Sequence, residues 1–508
     1  PPATATREDS VTGWIVATAG HPDVAALGEA LGGAALLALD GAGDIDDALA
    51  AAVGDAPTER LGVVFVASAP SDDTDATTMA TAQVAQVGAL LRLAAALDRR
   101  GESTLWVVTG EAHLVMPGDL AAGFANTTLW GAGRAIGEEL PHLWGGCIDH
   151  ADPLVDAAPA IAHELTHVAE GGPVEGEVAL RGGERHVARL VAGSPSQPAP
   201  LHLGGDSTTL VSGGFGAVGR EVARWLVGQG ARRLVLLGRT ALPARAEWPH
   251  LAPESAVGRR AALVRELESM GAAVHVATVD VADEPALRTF LDEFRADGWP
   301  PVRSVFHAAA QFGGELIADV SDDFIRAQML PKLIGASTFH QMPEIEHLVL
   351  FSSLAAVLPM AGQSAYAAGN AFLDGLADHR AASGLPVVSI NWGFWEGSDE
   401  ATVDDGRNIK DTANALAIDQ GMRGFRTEQG LDAMGRVMVG ATARAVVVPI
   451  DWAALGAARL SPVAGLAADR VAEAAQLPRA ADAGATRRTL VELLAAAPGS
   501  DRAVVAEA

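Results

Sequence analysis

The segment Ser212-Gly213-Gly214-Phe215-Gly216-Ala217-Val218-Gly219 constrains this chain more than any other. Before it, Thr208-Thr-Leu-Val-Ser reads as a short buried strand; after it, Val222, Ala223, Leu226 and Val227 recur at helical spacing. The glycines therefore occupy the turn from a strand into a helix. Gly213, Gly216 and Gly219 stand three apart, which permits a tight turn, close approach of backbone to a pyrophosphate, and close helix–strand packing. The helix start beyond them offers unpaired N–H groups and the positive end of a dipole. A Gly-rich turn alone is equally compatible with an ordinary tight turn. Its position between strand and helix makes a dinucleotide site the expectation, with Gly213, Gly214, Phe215, Gly216, Val218 and Gly219 as its cradle.

Further strand signals follow at Arg233–Leu237, His275–Val279, Val305–Ala308, His347–Ser352 and Val387–Asn391. Six β-α repeats describe an open, doubly wound parallel sheet. The first half repeats the theme more loosely, with strand signals at Gly13–Thr18, Leu61–Ala67 and Ser103–Thr109. Asn126-Thr-Thr-Leu-Trp-Gly-Ala-Gly-Arg-Ala-Ile-Gly resembles the later helix around Tyr366 but has no Tyr or Lys. The expected fold is thus α/β, two Rossmann-like doubly wound parallel-sheet subdomains, the first degenerate and structural. Residues 192–206 carry three prolines and three glycines and read as the connection between them. The expected boundaries are 1–200, 201–460 and a partly helical exit linker over 461–508.

The formal charge of −27 argues against nucleic acid and anionic membranes as partners, since both demand a basic patch. A phosphorylated ligand must then be held by local features against the overall field. No stretch of 18 apolar residues free of charge occurs, so no membrane span is expected. The N-terminal segment lacks a basic start and an apolar run; it reads as a boundary within a longer chain and not as a signal peptide. The single Cys147 excludes an intrachain disulfide and a cysteine zinc site, and fits a reducing, cytoplasmic setting. In its apolar run it is expected to be a small core residue.

Against this background two residue types are nearly absent. The chain has one tyrosine, Tyr366, and two lysines, Lys332 and Lys410. Tyr366 lies thirteen residues after Ser353 and four before Asn370, one helical turn away on the same face. A tyrosine titrates near pH 10 unperturbed, and a neighbouring ammonium lowers that value; Lys332 is the one lysine upstream. A Ser/Tyr/Lys/Asn set can protonate a carbonyl oxygen during hydride delivery. Each residue alone is as readily structural; the glycine loop and the scarcity of Tyr and Lys favour function. Arg239, after the second strand, is placed to pair with a ribose 2′-phosphate and so points to NADPH, against the reading of a solvated arginine. Asp280 and Val281 are placed to bracket an adenine.

The second half resembles a ketoreductase domain of modular polyketide synthases, within the short-chain dehydrogenase/reductase superfamily. The resemblance rests on the 212–219 loop, Val305-Phe-His-Ala-Ala, the Lys332 segment, Phe351-Ser-Ser, Tyr366-Ala-Ala-Gly-Asn-Ala-Phe-Leu-Asp and Asn391-Trp-Gly-Phe-Trp-Glu. Leu105-Trp-Val-Val-Thr, Trp130-Gly-Ala-Gly-Arg and Trp144-Gly-Gly resemble the structural subdomain of the same family, and together these cover residues 10–455. The resemblance implies Tyr366 as proton donor to a β-keto oxygen and Ser353 as its hydrogen-bond partner. Lys332 and Asn370 would hold the ribose, the phenol or a relay water. Ala308 and Ala309 would line the NADPH site. It implies a β-ketoacyl substrate on the phosphopantetheine arm of an acyl carrier protein, further domains of the same synthase as partners, and a lid over 396–425.

The chain departs from the family at several points. Phe215 replaces a small Thr, Ser212 replaces Thr, Gly238 and Thr240 flank Arg239, and Ala310 replaces a Gly. Phe215 could crowd the pyrophosphate or point away into solvent or the core. Among stereochemical markers, Phe312-Gly313-Gly314 stands where one class has Leu-Asp-Asp. Leu358 stands where the other has Trp, and Gln363 where a subclass has His. Absence of the acidic pair favours the A-type. Two alternatives remain at this point: an α-substituent epimerase that no longer reduces, and a non-catalytic module that docks a carrier protein.

Overall fold

The computed structural model describes residues 11–193, 201–396 and 421–454, apart from 12, 40–44, 55–59, 69–73, 170–174, 202, 204–205, 343, 359, 441 and 453, together with 469–470 and 505–507. Most of the segment expected to be an exit linker, and the interior of the expected lid (397–420), lie outside the described residues.

Two parallel sheets, one in each half of the chain, carry the fold. The first comprises β1 (Gly13–Thr18), β2 (Ala35–Ala38), β3 (Leu61–Val66), β4 (Ser103–Gly110), β5 (Trp144–His150), β6 (Glu177–Arg181) and β7 (Glu184–Val187), in the order β2-β1-β3-β4-β5-β6-β7. Only the last pair is antiparallel. After the two-residue β8 (Val191–Ala192) come β9 (Thr208–Ser212), β10 (Arg233–Gly238), β11 (Ala273–Thr278), β12 (Val302–His307), β13 (His347–Ser353), β14 (Val388–Trp392) and β15 (Arg444–Val447). These seven run in the order β11-β10-β9-β12-β13-β14-β15, all parallel. Val505–Glu507 and β8 extend the far edge antiparallel. Parallel strands buried on both faces read as near-continuous apolar runs, and β3 and β9 are buried along their whole length. The seventh strand, β15, escaped the sequence reading, as did β2, β5, β6 and β7.

The first half contributes α1 (Val24–Ala30), α2 (Ile45–Val53), α3 (Ala76–Arg100), α4 (Thr127–Glu139) and α5 (Leu154–Ala169). The second contributes α6 (Ala217–Gly228), α7 (Ala256–Ser269), α8 (Glu284–Ala296), α9 (Asp322–His340), α10 (Ser364–Ala382) and α11 (Thr427–Met438). Their starts are written locally. Asp75, Ser255, Asp283 and Ser321 each accept a backbone N–H of the first turn of the helix that follows. By length and composition α3 could cross a membrane, but 72% of its most apolar window is buried inside this fold.

The halves join through helices. α4 packs on α10, and α3 on α9. Gly131 lets α4 approach backbone to backbone: a Cβ there would stand 2.4 Å from the Ala367 carbonyl oxygen. At the same contact Thr127 Oγ1 donates to the Ala371 carbonyl at 2.9 Å. Phe65, Leu90 and Leu129 of the first half share one buried core with Leu350, Phe372 and Leu376 of the second. The helix that resembles the Tyr366 helix in sequence thus becomes its packing partner. Cys147 lies buried in β5, and burial pushes its thiol well up, as expected of a core cysteine.

Candidate active site

In the second sheet the strand order reverses between β9 and β12, and in open α/β sheets ligands bind beyond the carboxyl ends of the strands at such a point. Here the glycine loop leaves β9. Gly213 adopts φ +69°, and a Cβ there would lie 2.9 Å from the Ala308 carbonyl oxygen; one at Gly219 would lie 2.2 Å from the Gly213 carbonyl oxygen. Only glycine fits either position. The loop is held from below: Gly213 N donates to the Leu237 carbonyl at 3.0 Å, and Ser212 Oγ lies 2.7 Å from His307 Nδ1. Burial, and then the nearby Lys332, push the His307 pKa down to about 3, so its ring is a neutral strut.

Two adjoining cavities open over this turn. One, of about 220 Å³, is lined by Gly213, Phe215, Gly216, Arg239, Asp280, Val281, Ala308 and Ala309 among others. The other, of about 340 Å³, is lined by Gly216, Val218, Gly219, Phe312, Lys332, Ser353, Gln363 and Tyr366, with an aromatic wall of Trp392, Phe394 and Trp395. Gly213, Gly216, Ala308 and Ala310 belong to both, so the loop is their common floor. A cradle that a Cβ would fill, continuous with a long cleft, fits a dinucleotide.

The structure brings Ser353, Tyr366 and Lys332 to the second cavity. Ser353 ends β13, and its Oγ accepts from Ala355 N at 3.2 Å. Tyr366 sits on the first turn of α10. Lys332 lies within α9, just past Pro331. Its Nζ donates to the Phe351 carbonyl at 3.1 Å and stands 5.6 Å from the centre of the Tyr366 ring. Asn370 does not line the cavity. It is fully buried, its Nδ2 donates to the Tyr366 carbonyl at 2.8 Å, and its Oδ1 is left without a partner.

The expected electrostatics are partly reversed. Burial raises the Tyr366 pKa, and hydrogen bonds with Ser353 and Asn370 pull it back; the ammonium is not among the causes. Lys332 is itself brought down to about 7 by burial, with Asp374 pulling it up. A lysine near neutrality is a weak source of positive potential and a ready proton donor and acceptor.

Other placements differ from expectation. A Cβ on Gly214 would meet Leu236 and the Val211 carbonyl, so this glycine faces the sheet and lines neither cavity. Leu358 is buried in a small core with Leu190, Leu354 and Met422, and neither it nor Gly314 lines the substrate side. Met360 does, and Phe312 meets the Tyr366 ring edge-on at 5.5 Å. Phe215 takes one of its expected placements: half-buried, it packs against the second hydrophobic core, with its ring against Gly238, where a Cβ would stand 3.3 Å from Cδ2.

Three features were missed in the sequence. Asp374 accepts from Ser389 Oγ at 2.6 Å and Asn391 Nδ2 at 2.7 Å, and Asn391 Nδ2 also reaches Ser352 Oγ at 2.9 Å, tying α10 to β13 and β14 beneath the site. The spacing Tyr366–Asn370–Asp374, one turn each, was a usable signal for it. Glu139, from the first half, accepts from Ile317 N at 2.9 Å and Gly362 N at 2.7 Å, clamping both loops that flank the substrate cavity. Arg260 lines the first cavity from α7. Nothing in the sequence marks the last two. At the base of the expected lid, Phe425 N donates to the Phe394 carbonyl and Glu396 N to the Phe425 carbonyl, both at 2.9 Å, so its two ends are pinned together.

A sheet whose order reverses above a glycine cradle, with a serine and a tyrosine facing one cleft, is the arrangement of the short-chain dehydrogenase/reductase fold. Residues 207–397 match the KR domain family, and residues 6–190 match the Rossmann fold domain of the polyketide synthase extender module SpnB. An A1-type ketoreductase of known structure superposes with a TM-score of 0.72 at 29% identity, covering 92% of this chain and 96% of that one. The pikromycin polyketide synthase component PikAIII of Streptomyces venezuelae is 32% identical over 94% of this chain and 28% of its own length. The 5-methyl-1-naphthoate synthase of Streptomyces sahachiroi is 36% identical over 68% of this chain and 19% of its own length. This chain belongs to the ketoreductase domains of modular polyketide synthases. It spans less than a third of the curated relatives it matches.

Proposed function

We propose that this domain reduces the β-keto group of an acyl chain carried on the phosphopantetheine arm of an acyl carrier protein, giving the β-hydroxyacyl product, with NADPH as reductant. The observation that carries the reading is the meeting of Tyr366, Ser353 and Lys332 at one cavity that shares its glycine floor with the cradle. NADPH, when bound, supplies hydride to the carbonyl carbon. Tyr366 and Ser353 hold the carbonyl oxygen through their hydroxyls, and the phenol gives its proton to that oxygen as negative charge develops there. Asn370 fixes the turn that carries the phenol. Lys332, titrating near neutrality, returns a proton toward Tyr366. The aromatic wall of Trp392, Phe394 and Trp395 keeps water from the reacting carbon.

A-type stereochemistry is part of this reading. It is supported by Phe312-Gly313-Gly314 in place of an acidic pair, and by the contact of Phe312 with the Tyr366 ring. The carrier protein and the rest of the synthase are the proposed partners, and the proposed division of the chain is 1–200, 201–460 and 461–508.

The test is turnover of a β-ketoacyl thioester with NADPH by the wild type and by Tyr366→Phe. The variant should lose about 10²–10⁴-fold in rate while NADPH affinity stays within twofold. More than a tenth of wild-type turnover in the variant overturns the assignment of Tyr366. A wild type that binds NADPH yet reduces nothing, but washes out an α-deuterium from a 2-methyl-3-ketoacyl thioester, overturns the reductase reading.

A further inference from the structure

Two arginines face the first cavity. Arg239 reaches its rim from the end of β10, and Arg260 lines it from α7. Acidic residues outnumber basic ones 63 to 36 in this chain, and arginines on the neighbouring elements are neutralised: Arg224 pairs with Glu221 and Glu266, and Arg245 with Glu268. Among the described residues neither Arg239 nor Arg260 takes part in an ion pair. Asp280, the one carboxylate among the lining residues, is engaged with the turn after β11, where its Oδ1 accepts from Ala282 N at 3.0 Å.

Phe215 explains how Arg260 is held there. The Phe215 ring packs closely on Gly238, so that a Cβ added at 238 would stand 3.3 Å from its Cδ2 and press on it. The Arg260 guanidinium carbon stands 5.9 Å from the centre of that ring. A guanidinium over an aromatic face is attracted by the ring quadrupole and loses less rotamer freedom when it then binds an anion. The adjacent Arg259 is turned away and donates to the Glu254 carbonyl. The phenyl ring of the loop therefore serves as a shelf, and the glycine at 238 makes room for it.

We infer that Arg260, seated on Phe215, is a second guanidinium for the 2′-phosphate on the cofactor's adenosine ribose, acting with Arg239 as a two-sided clamp. A phosphate monoester carries close to two negative charges at neutral pH, and one exposed arginine leaves it half neutralised in a strongly acidic protein. The inference rests on the NADPH reading above and adds two residues to it. Phe215 is a positioning residue that acts through Arg260.

The experiment is fluorescence titration of the full chain with NADPH and, separately, NADH. Wild type should prefer NADPH. Arg260→Ala should weaken NADPH about tenfold or more and NADH less than twofold. Arg260→Lys, which keeps a cation, should recover most of that loss. Phe215→Leu should weaken NADPH about threefold with NADH unchanged. Equal loss for both cofactors, or no loss for either, in a normally folded Arg260→Ala overturns the clamp and leaves the NADPH reading standing. A wild type that binds both cofactors equally overturns the NADPH reading itself and the clamp with it. Adenosine 2′,5′-bisphosphate against adenosine 5′-monophosphate gives the same comparison free of the nicotinamide. A preference for the former that is undiminished in Arg260→Ala counts against the clamp.

Discussion

Lys332 is a cation in a place with almost no water: it is 2% exposed, and Phe351 supplies the carbonyl its ammonium donates to. A pKa brought from 10.5 to about 7 means the unfolded chain holds this proton over a pH range in which the folded one has released it. Stability therefore rises with pH between about 7 and the unfolded value, and the burial cost is largest below 7. Lys332→Met removes that cost. Its stability advantage over wild type should be greatest near pH 6 and shrink by a few kcal/mol, to order of magnitude, as pH rises toward 10. Denaturant melts of both proteins across that range measure it. A pH-independent difference would mean that the ammonium is solvated in the folded state. The same side chain that costs stability is the one positioned to exchange a proton with Tyr366, so an inactive, more stable variant is the expected outcome.

Helices α4 and α10 show what a sequence can and cannot convey. Their likeness as strings was visible because both are rich in small residues: Trp130-Gly-Ala-Gly in one, Tyr366-Ala-Ala-Gly in the other. The reason for the small residues was not visible, since it lies in the opposite helix, where the Ala367 carbonyl oxygen stands 2.4 Å from any Cβ at 131. Gly131→Ala would gain about 1 kcal/mol in helix propensity. The atom it meets is backbone and cannot step aside, and overpacking costs about 1–3 kcal/mol. We expect net destabilisation, read as a lower denaturation midpoint, where an exposed helical glycine such as Gly228, with nothing within 4 Å, should give a gain on the same change. The strands around the cradle were legible because they are apolar runs next to glycine turns. β2 and β7 were not, being four residues each at the edges of a sheet with mixed burial. Of the site, Ser353, Tyr366 and Lys332 announced themselves by rarity and spacing. Glu139 and Arg260 did not, because each acts on a segment more than forty residues away or on an element that folding alone brings near.

The largest of the buried cores runs through both halves of the molecule. A chain of residues 201–460 alone would expose the apolar faces of α9 and α10 that α3 and α4 now cover. We expect that fragment to aggregate or to melt without cooperativity, and to recover nucleotide binding only when residues 1–200 are supplied. Co-expression followed by a binding titration checks this, and a well-folded, NADPH-binding fragment would count against it.

Glu139 gives this union a practical edge. Its two oxygens hold Ile317 and Gly362, one on each loop beside the substrate cavity. For anyone exchanging reductive domains between synthases, the proline-rich connection around 192–206 is the inviting place to cut, because there the chain itself looks separable. Such a chimera would inherit its catalytic groups from one parent and the brace that sets their entrance from another. Selectivity for the hand of the product would then depend on whether the donor of α4 carried a carboxylate of the right reach. The seam that respects the physics runs outside both halves.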